Sequence, residues 1–398
     1  MSQDSELFVV MVTLDREASA MILTRSDGKE ARQPMPKSTF AETSVLSRLH
    51  YSPQRGGLLA VTCAGDELIF EMPTRDAVAP LADRPVVYLD QNMWRPVSES
   101  LQGKVAGSDR RDAERLAKWV QERRIILPAS AGHYYETTKW SLVQKRYRLG
   151  LTILQLSRGW QMRDPLQVRR DEIRGMFLRR LDVTEDASPS PVFTLAPNVI
   201  HSSERASASP VDTSGFAPEM AFRLQAFTSA SALIDTMLDT EQVEPGPDAG
   251  WAANNQRFSD WLDEQPLDSQ QKRKSIDALL ASDLQREIAE EAHGAGFPLS
   301  EFEQWLKKRP MNDIGSLPAV GLYREMLHHR HLNKGTNWDP NDRTDMIYLS
   351  CAAGYADFVV CEKHMREPLE RGVKQLGRPT KVFRRLGEAV AAIAEVVE

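Results

Sequence analysis

Val-Val-Tyr-Leu-Asp-Gln-Asn-Met-Trp, at positions 86–94, is the stretch that decides the fold of this chain. Its uncharged, β-branched start predicts a buried strand of a parallel sheet, and that strand ends at Asp90. Open parallel sheets bind their ligands outside the carboxyl ends of the strands, so Asp90 is the first candidate for a catalytic residue. The alternative is that Asp90 only caps the helix that follows, as Asp readily does.

A second apolar run, residues 125–127, predicts a strand parallel to the first. The helix predicted at residues 109–124 would be the crossover between the two strands, with a polar loop before it. Ser130 is predicted to cap the next helix, in which His133 and Glu136 share a face. An acid in the first turns of a helix often has no role beyond a favourable interaction with the helix dipole. Glu136 is nevertheless a second candidate for a catalytic residue, because its helix follows a predicted strand.

Two segments near the C-terminus return acids to the same sheet. Residues 342–349 predict a helix with Asp345 in its first turn, and residues 358–361 predict a strand followed directly by Glu362. A final short strand at residues 379–383 and an amphipathic helix at residues 386–397 are also predicted. Two other acids of these segments are predicted to be structural, one as a helix cap and one at the opposite edge of the sheet, namely Asp342 and Asp357.

Taken in order, these segments resemble the PIN-like family of metal-dependent nucleases, which have a parallel sheet with helices on both faces. The resemblance rests on four pieces of the chain, residues 89–92, 127–137, 341–345 and 355–363. It implies an α/β fold with one site for four acids, namely Asp90, Glu136, Asp345 and Glu362. The fourth acid is more often Asp in this family, so Glu362 is the least regular match.

Four clustered carboxylates repel one another unless a cation or shared protons neutralise them. Ligand sets made only of oxygen select hard ions, so we expect Mg²⁺ or Mn²⁺ rather than zinc. Such an ion would activate a water for attack on a phosphodiester and stabilise the leaving oxygen. The chain is therefore expected to be a nuclease, and the resemblance favours RNA over DNA as its substrate.

Two other functions stay open. The chain could be a nuclease for structured or single-stranded DNA, or a non-catalytic PIN-like scaffold that binds RNA or a protein. A scaffold has no need to keep four acids at strand and helix ends, which favours the enzyme. A toxin or phage-defence role follows from the resemblance alone.

The formal net charge of −6 gives no general attraction to nucleic acid, so binding requires a local basic surface. Residues 363–385 supply one, with eight basic residues against two acids, although an ordinary solvated surface is the alternative. The side chains expected to contact phosphate or to orient the acids are Asn92, His133, Lys363, Arg371, Lys374 and Arg378.

Residues 1–80 alternate short apolar runs with turns and predict a small, mostly β N-terminal domain. This domain could bind a protein partner or nucleic acid, and the alternative is that it is only a structural appendage. The domain boundary is expected in the Pro-rich residues 73–85. The PIN-like domain would then occupy residues 84–398, interrupted at about 150–335 by a helical insertion with a Ser- and Pro-rich linker at 188–214.

With 398 residues, 41% of them hydrophobic and 27% charged, the chain is expected to be globular and to contain two or three units. No apolar run approaches the roughly 20 residues needed to cross a bilayer. The N-terminus is acidic and unlike a secretory signal, and the three cysteines lack metal-ligand spacing and are expected to be reduced and buried. We therefore expect a cytoplasmic protein with no membrane partner.

Overall fold

The structure, a computed structural model, describes residues 7–35, 40, 42–72, 83–139, 142–183, 191–196, 200, 218–238, 250–308 and 310–398. The chain divides into two compact units, and neither is continuous in sequence. The first contains Met1–Arg84, Ile126–Gln161 and Phe193–Val243, and the second contains Pro85–Ile125, Met162–Val192 and Glu244–Glu398.

An antiparallel sheet forms the N-terminal part of the first unit, as the sequence predicts. Its six strands have the order β3-β2-β1-β4-β5-β6. Alternate residues of the last two strands are buried, because successive side chains of a strand point to opposite faces. The strands are β1 Val9–Asp15, β2 Ala20–Arg25, β3 Glu30–Pro34, β4 Leu46–Ser52, β5 Gly57–Thr62 and β6 Glu67–Glu71.

Two helices, α4 (Val143–Ser157) and α6 (Pro218–Leu238), pack on this sheet, and α3 (Ala131–Thr138) packs on these two helices. Helices α4 and α6 approach closely at Gly150, where a Cβ atom would lie 2.6 Å from the backbone oxygen of Met237. Only glycine fits this contact, because a side chain there would force the two helices apart.

The second unit contains a small parallel sheet of three strands, in the order β11-β10-β7. The strands are β7 Val87–Leu89, β10 Phe358–Val360 and β11 Lys381–Phe383, and the central strand is fully buried. Helices α1 (Gln91–Leu101), α2 (Ser108–Gln121), α12 (Asp342–Tyr355), α13 (Lys363–Gln375) and α14 (Leu386–Val397) pack with it or with one another. The predicted C-terminal strands and helices are thus confirmed.

The remaining helices of this unit gather around α11 (Pro318–Leu332), which packs on α5, α7, α8, α10, α12 and α13. The others are α5 Pro165–Arg180, α7 Trp251–Glu264, α8 Ser269–Gly294, α9 Leu299–Lys307 and α10 Pro310–Ser316. Two strands of two residues each, β8 Gln161–Met162 and β9 Phe193–Thr194, lie at points of the sequence where one unit ends and the other begins.

The start of α11 is held by a buried acid of α5. Glu172 accepts hydrogen bonds from the backbone N–H groups of Ala319 (2.7 Å) and Val320 (3.1 Å) and from the hydroxyl of Tyr355 (2.7 Å). Burial raises the pKa of Glu172, and these hydrogen bonds act in the opposite direction. The acid satisfies N–H groups that have no partner inside the helix, so it is structural.

The predicted second strand does not form. Within the residues that the structure describes, the strands of the parallel sheet are β7, β10 and β11, and the buried residues 125–127 contain a single β-bridge residue, Ile126, and no strand. A short apolar run cannot by itself distinguish a strand from another buried segment. Glu136 therefore does not follow a strand, contrary to the prediction from the sequence.

Other predicted boundaries also change. The polar loop expected after Asn92 is helix α1, whose Trp94 and Val97 are fully buried and which accommodates Pro96. The residues predicted as one helical insertion, about 150–335, are divided between the two units. Cys63, expected to be buried, is exposed, and all three cysteines are free thiols.

Most of the predicted domain boundary (73–85) and of the predicted linker (188–214) lies outside the described residues. The mixed α/β class, with an antiparallel N-terminal sheet and a small parallel sheet, is confirmed. In the described parts of the chain, every helix is too short or too polar to span a bilayer.

Candidate active site

The carboxyl ends of two adjacent strands bring Asp90 and Glu362 to one edge of the parallel sheet. Strands β7 and β10 pair in parallel, with Leu89 opposite Val360. The backbone N–H of Asp90 donates to the carbonyl of Val360 at 2.9 Å, which extends the pairing by one residue. Asp90 thus lies beside Cys361, and Glu362 follows at once in the chain.

The buried thiol of Cys361 shows which charges gather at this edge. Burial is the largest cause that raises the pKa of this thiol, and the negative charge of Asp90 is the next largest. Asp345 and Glu362 act in the same direction, whereas Arg366 opposes them. Three of the four predicted acids therefore act on one atom, as expected if they lie around a common site.

The fourth member of this group is a histidine that the sequence reasoning missed. His364 Nδ1 lies 3.4 Å from Glu362 Oε2, and its Nε2 lies 4.0 Å from Asp345 Oδ2. Its side chain is about half exposed (47%), so it faces solvent beside the acids. We call Asp90, Asp345, Glu362 and His364 the acid cluster.

The members of the acid cluster differ in exposure. Asp90 is only 8% exposed, and its Oδ1 accepts a hydrogen bond from the backbone N–H of Gln91 at 2.9 Å. It is the N-cap of α1, so the capping interpretation and the strand-end interpretation both describe its position. Glu362 occupies the N-cap position of α13 without a side-chain capping bond, and its side chain is 39% exposed. The cluster thus has a buried side and an open side.

The two other acids of the C-terminal segments, Asp342 and Asp357, have structural contacts, although Asp342 is not the predicted helix cap. Asp342 Oδ2 pairs with the buried Arg330 guanidinium and accepts the backbone N–H of Asp339 at 2.8 Å. It is the first residue of α12 rather than its cap, which is Asn341. Asp357 lies before β10, where its Oδ2 accepts the backbone N–H of Val86 at 2.8 Å.

No protein-family model, curated protein or solved structure matches this chain.

The remaining predicted acid, Glu136, belongs to the first unit. Its Oε1 pairs with Lys139 Nζ at 2.7 Å, one turn along α3, and the side chain is 26% exposed. Its part in the acid site stays a prediction from the resemblance.

His133, on the same helix, is 1% exposed, and its Nδ1 accepts the backbone N–H of Ser130 at 3.1 Å. The ring completes a capping box with Ser130, which confirms Ser130 as the cap. This buried position does not support the predicted contact with substrate.

The predicted phosphate contacts fall into two groups. Asn92 and Lys363 are exposed in the first turns of α1 and α13, the two helices that begin at the strand ends. In the basic run, Arg371 pairs with Glu367 at 2.6 Å and Arg366 with Glu370 at 3.1 Å. Part of the run is thus neutralised along its own helix.

Arg378 has a structural contact. Its Nη2 donates to the carbonyl of Ser316 at 2.7 Å, which ties the end of α13 to the end of α10. This arginine is therefore not a free phosphate ligand, whereas Lys374 is exposed.

The donor set decides which ion would suit the acid cluster. Among the described residues, no group of three or more His, Cys, Asp or Glu has the arrangement of a formed metal site. The donors at hand are three carboxylates and one imidazole, and oxygen-rich sets of this kind favour Mg²⁺ or Mn²⁺. The donor atoms are thus of the types that bind Mg²⁺ or Mn²⁺, and a bound cation would relieve the repulsion between the carboxylates.

Proposed function

We propose that this protein is a Mg²⁺- or Mn²⁺-dependent nuclease that hydrolyses phosphodiester bonds, acting as an endoribonuclease. The observation that carries the proposal is the placement of Asp90 and Glu362 at the carboxyl edge of a parallel sheet, with the His364 ring within 4.0 Å of carboxylate oxygens of both Glu362 and Asp345. This edge is where open α/β folds bind their ligands.

Asp90, Asp345 and Glu362 would hold the ion, with Glu136 as the fourth ligand that the resemblance implies. A bound divalent cation lowers the pKa of a water that attacks the phosphodiester and stabilises charge on the leaving oxygen. The low exposure of Asp90 and its hydrogen bond to Gln91 hold one carboxylate in a fixed orientation, which favours a defined site.

The exposed side of the cluster suits an anionic substrate. Helices α1 and α13 both begin at the acid edge, and the unpaired N–H groups of a helix N-terminus attract phosphate. Asn92 and Lys363 add an amide and a cation in these first turns, and the half-exposed His364 adds a ring N–H that can donate to a phosphate oxygen. These contacts would offset the repulsion between the substrate and the acids.

RNA is proposed over DNA because of the resemblance to PIN-like nucleases, and the same resemblance suggests a cytoplasmic toxin or phage-defence effector. The antiparallel sheet of the first unit would be the surface for a protein partner. A non-catalytic scaffold is the weaker proposal, because a cluster of repelling acids destabilises a fold that makes no use of it.

Cleavage assays with the full chain test this proposal. Labelled single-stranded RNA, single-stranded DNA and flapped DNA are incubated with Mn²⁺ or with chelator. We expect Mn²⁺-dependent cleavage of RNA that Asp345→Asn and Glu362→Gln abolish. Glu370→Gln is the matched control, because it removes an exposed acid from α13 outside the acid cluster. Cleavage of DNA alone would assign the second function, and no cleavage of any substrate would assign the scaffold.

A further inference from the structure

An open groove of about 910 Å³ lies in the second unit between helices α8, α11 and α13. Its lining includes Arg273 of α8, His329 and Leu332 of α11, and Arg371, Lys374 and Gln375 of α13. Helices α11 and α13 approach closely at Gly372, where a Cβ atom would lie 3.2 Å from Glu325 Cβ. The groove is therefore formed by tightly packed helices and not by a loop.

The cations of this groove differ in how strongly they are held. Arg273 pairs with the buried Glu325 at 3.2 Å. Arg371 pairs with Glu367 on the surface, where both side chains are more than 60% exposed (66% and 61%). Exposed pairs of this kind contribute little to stability, so a phosphate can displace Glu367 easily. Lys374 is exposed and has no described carboxylate within ion-pair distance.

Helix α13 connects the groove to the acid cluster. It begins directly after Glu362 and carries Arg371 and Lys374 more than two turns later. At 1.5 Å per residue these cations lie roughly 14 to 18 Å along the helix from Glu362. At about 3.4 Å per nucleotide of a stacked strand, that distance corresponds to roughly four or five nucleotides.

We propose that this groove is a second phosphate-binding site, in which Arg371, Lys374 and Arg273 hold the backbone of a single-stranded nucleic acid several nucleotides from the acid cluster. The inference rests on the proposed nuclease function for the identity of the ligand. The described lining of the groove contains three cations and no Phe, Tyr or Trp, so the groove is expected to hold phosphates and not to bind a series of stacked bases. An acidic peptide is the competing ligand, and a shared helix with the acid cluster favours the nucleic acid.

Binding measured without metal tests the inference separately from catalysis. A labelled oligouridylate of about twelve nucleotides is long enough to reach from the groove to the acid cluster. Its anisotropy is titrated with the full chain in chelator over a range of salt concentrations. The double variant Arg371→Ala/Lys374→Ala is compared with Arg110→Ala/Lys118→Ala, which removes two exposed cations from α2.

Both double variants change the net charge equally, so a difference between them reports the groove. We expect the groove variant to bind about tenfold more weakly, and the slope of log affinity against log salt to fall by about 1.4, or roughly 0.7 for each lost phosphate contact. Glu367→Gln should bind more tightly, because it frees Arg371 and removes a negative charge. Thermal melts verify that each variant is folded.

Equal affinity and equal salt slope in the two double variants would overturn the inference, as would absence of binding by the wild-type chain. An oligoglutamate that competes with the same dependence on Arg371 and Lys374 would overturn it in favour of an acidic protein. Cleavage is assayed in parallel with Mn²⁺. Groove-dependent binding without cleavage refutes the nuclease proposal alone, and cleavage without groove-dependent binding refutes this inference alone.

Discussion

Asp90 donates its backbone N–H to the carbonyl of Val360 at 2.9 Å, although the two residues are far apart in the chain. This bond joins the carboxyl ends of β7 and β10. It places the side chain of Asp90 beside the residue pair Cys361 and Glu362, and therefore creates the edge at which the acids meet. The position of the candidate site is thus set by the register of two three-residue strands.

Asp90→Asn should abolish metal-dependent cleavage and leave the fold intact. The amide retains the shape and the helix-capping ability of Asp, since Asn and Asp cap equally well, but it removes the charge that holds the ion. We expect the rate of cleavage to fall by at least about hundredfold. This loss exceeds the one that is typical when a residue that only orients a metal ligand is replaced. Asp90→Ala should also destabilise the chain by about 1 kcal/mol through loss of the cap. Cleavage assays and urea unfolding measure the two effects, and full activity of Asp90→Asn would refute the mechanism.

Asp342→Ala should destabilise the second unit much more than Asp345→Ala does. Asp342 pairs with the buried Arg330, and its removal leaves a guanidinium in a desolvated site, at a cost of about 3 to 5 kcal/mol. Asp345 lies in the first turn of α12 with a side chain 28% exposed, where a favourable dipole interaction contributes about 0.3 to 1 kcal/mol. The double variant Arg330→Met/Asp342→Leu should recover part of the loss. Equal effects of the two alanine variants would contradict the assignment of Asp342 as structural.

A partly buried ion pair between α8 and α11, formed by Asp277 and Arg324, should respond to acid. Burial alone would raise the pKa of Asp277, but hydrogen bonds from His328 and Arg324 outweigh it and lower the pKa to about 2. The pKa is depressed on folding, so the stabilisation is complete above the unfolded value of 3.8 and is lost as the pH falls through about 2. The difference corresponds to about 2 kcal/mol. Unfolding free energies of the wild type and of Asp277→Asn, measured between pH 2 and 7, should converge toward the acid end, and a constant difference would contradict this origin.

The C-terminal elements could be predicted because each is a local pattern. Residues 358–360 are an apolar run between two acids, and α14 is a short amphipathic helix, so period and flanking residues suffice. The same reasoning missed α1, because Pro96 and the serines that follow it conceal a helix whose Trp94 and Val97 are buried by tertiary contacts. It also failed for residues 125–127, where burial occurs without a strand of the sheet.

The composition of the candidate site was harder to predict than its location. His364 is half exposed and lies within a basic run, so nothing in the local pattern separates it from solvated surface. Its proximity to Glu362 and Asp345 depends on how α12 and α13 pack, which sequence spacing does not give. The sequence also could not predict that residues 126–161 belong to the same unit as the N-terminal sheet, because this grouping depends on contacts between distant parts of the chain.

The last prediction decides whether Glu136 belongs to the metal-binding residues. Glu136 forms an i,i+3 ion pair with Lys139 on α3, a type of pair that contributes about 0.2 to 0.5 kcal/mol. Glu136→Gln and Lys139→Gln both break this pair, but only the first removes the carboxylate. We expect both variants to lose at most about 0.5 kcal/mol in urea unfolding, because the pair is partly exposed. Mn²⁺-dependent cleavage should fall by at least about hundredfold in Glu136→Gln, more than is usual for a residue that only orients a metal ligand, and stay near the wild-type rate in Lys139→Gln. Equal activity of the two variants would assign Glu136 to the surface of α3 and reduce the acid set to Asp90, Asp345 and Glu362.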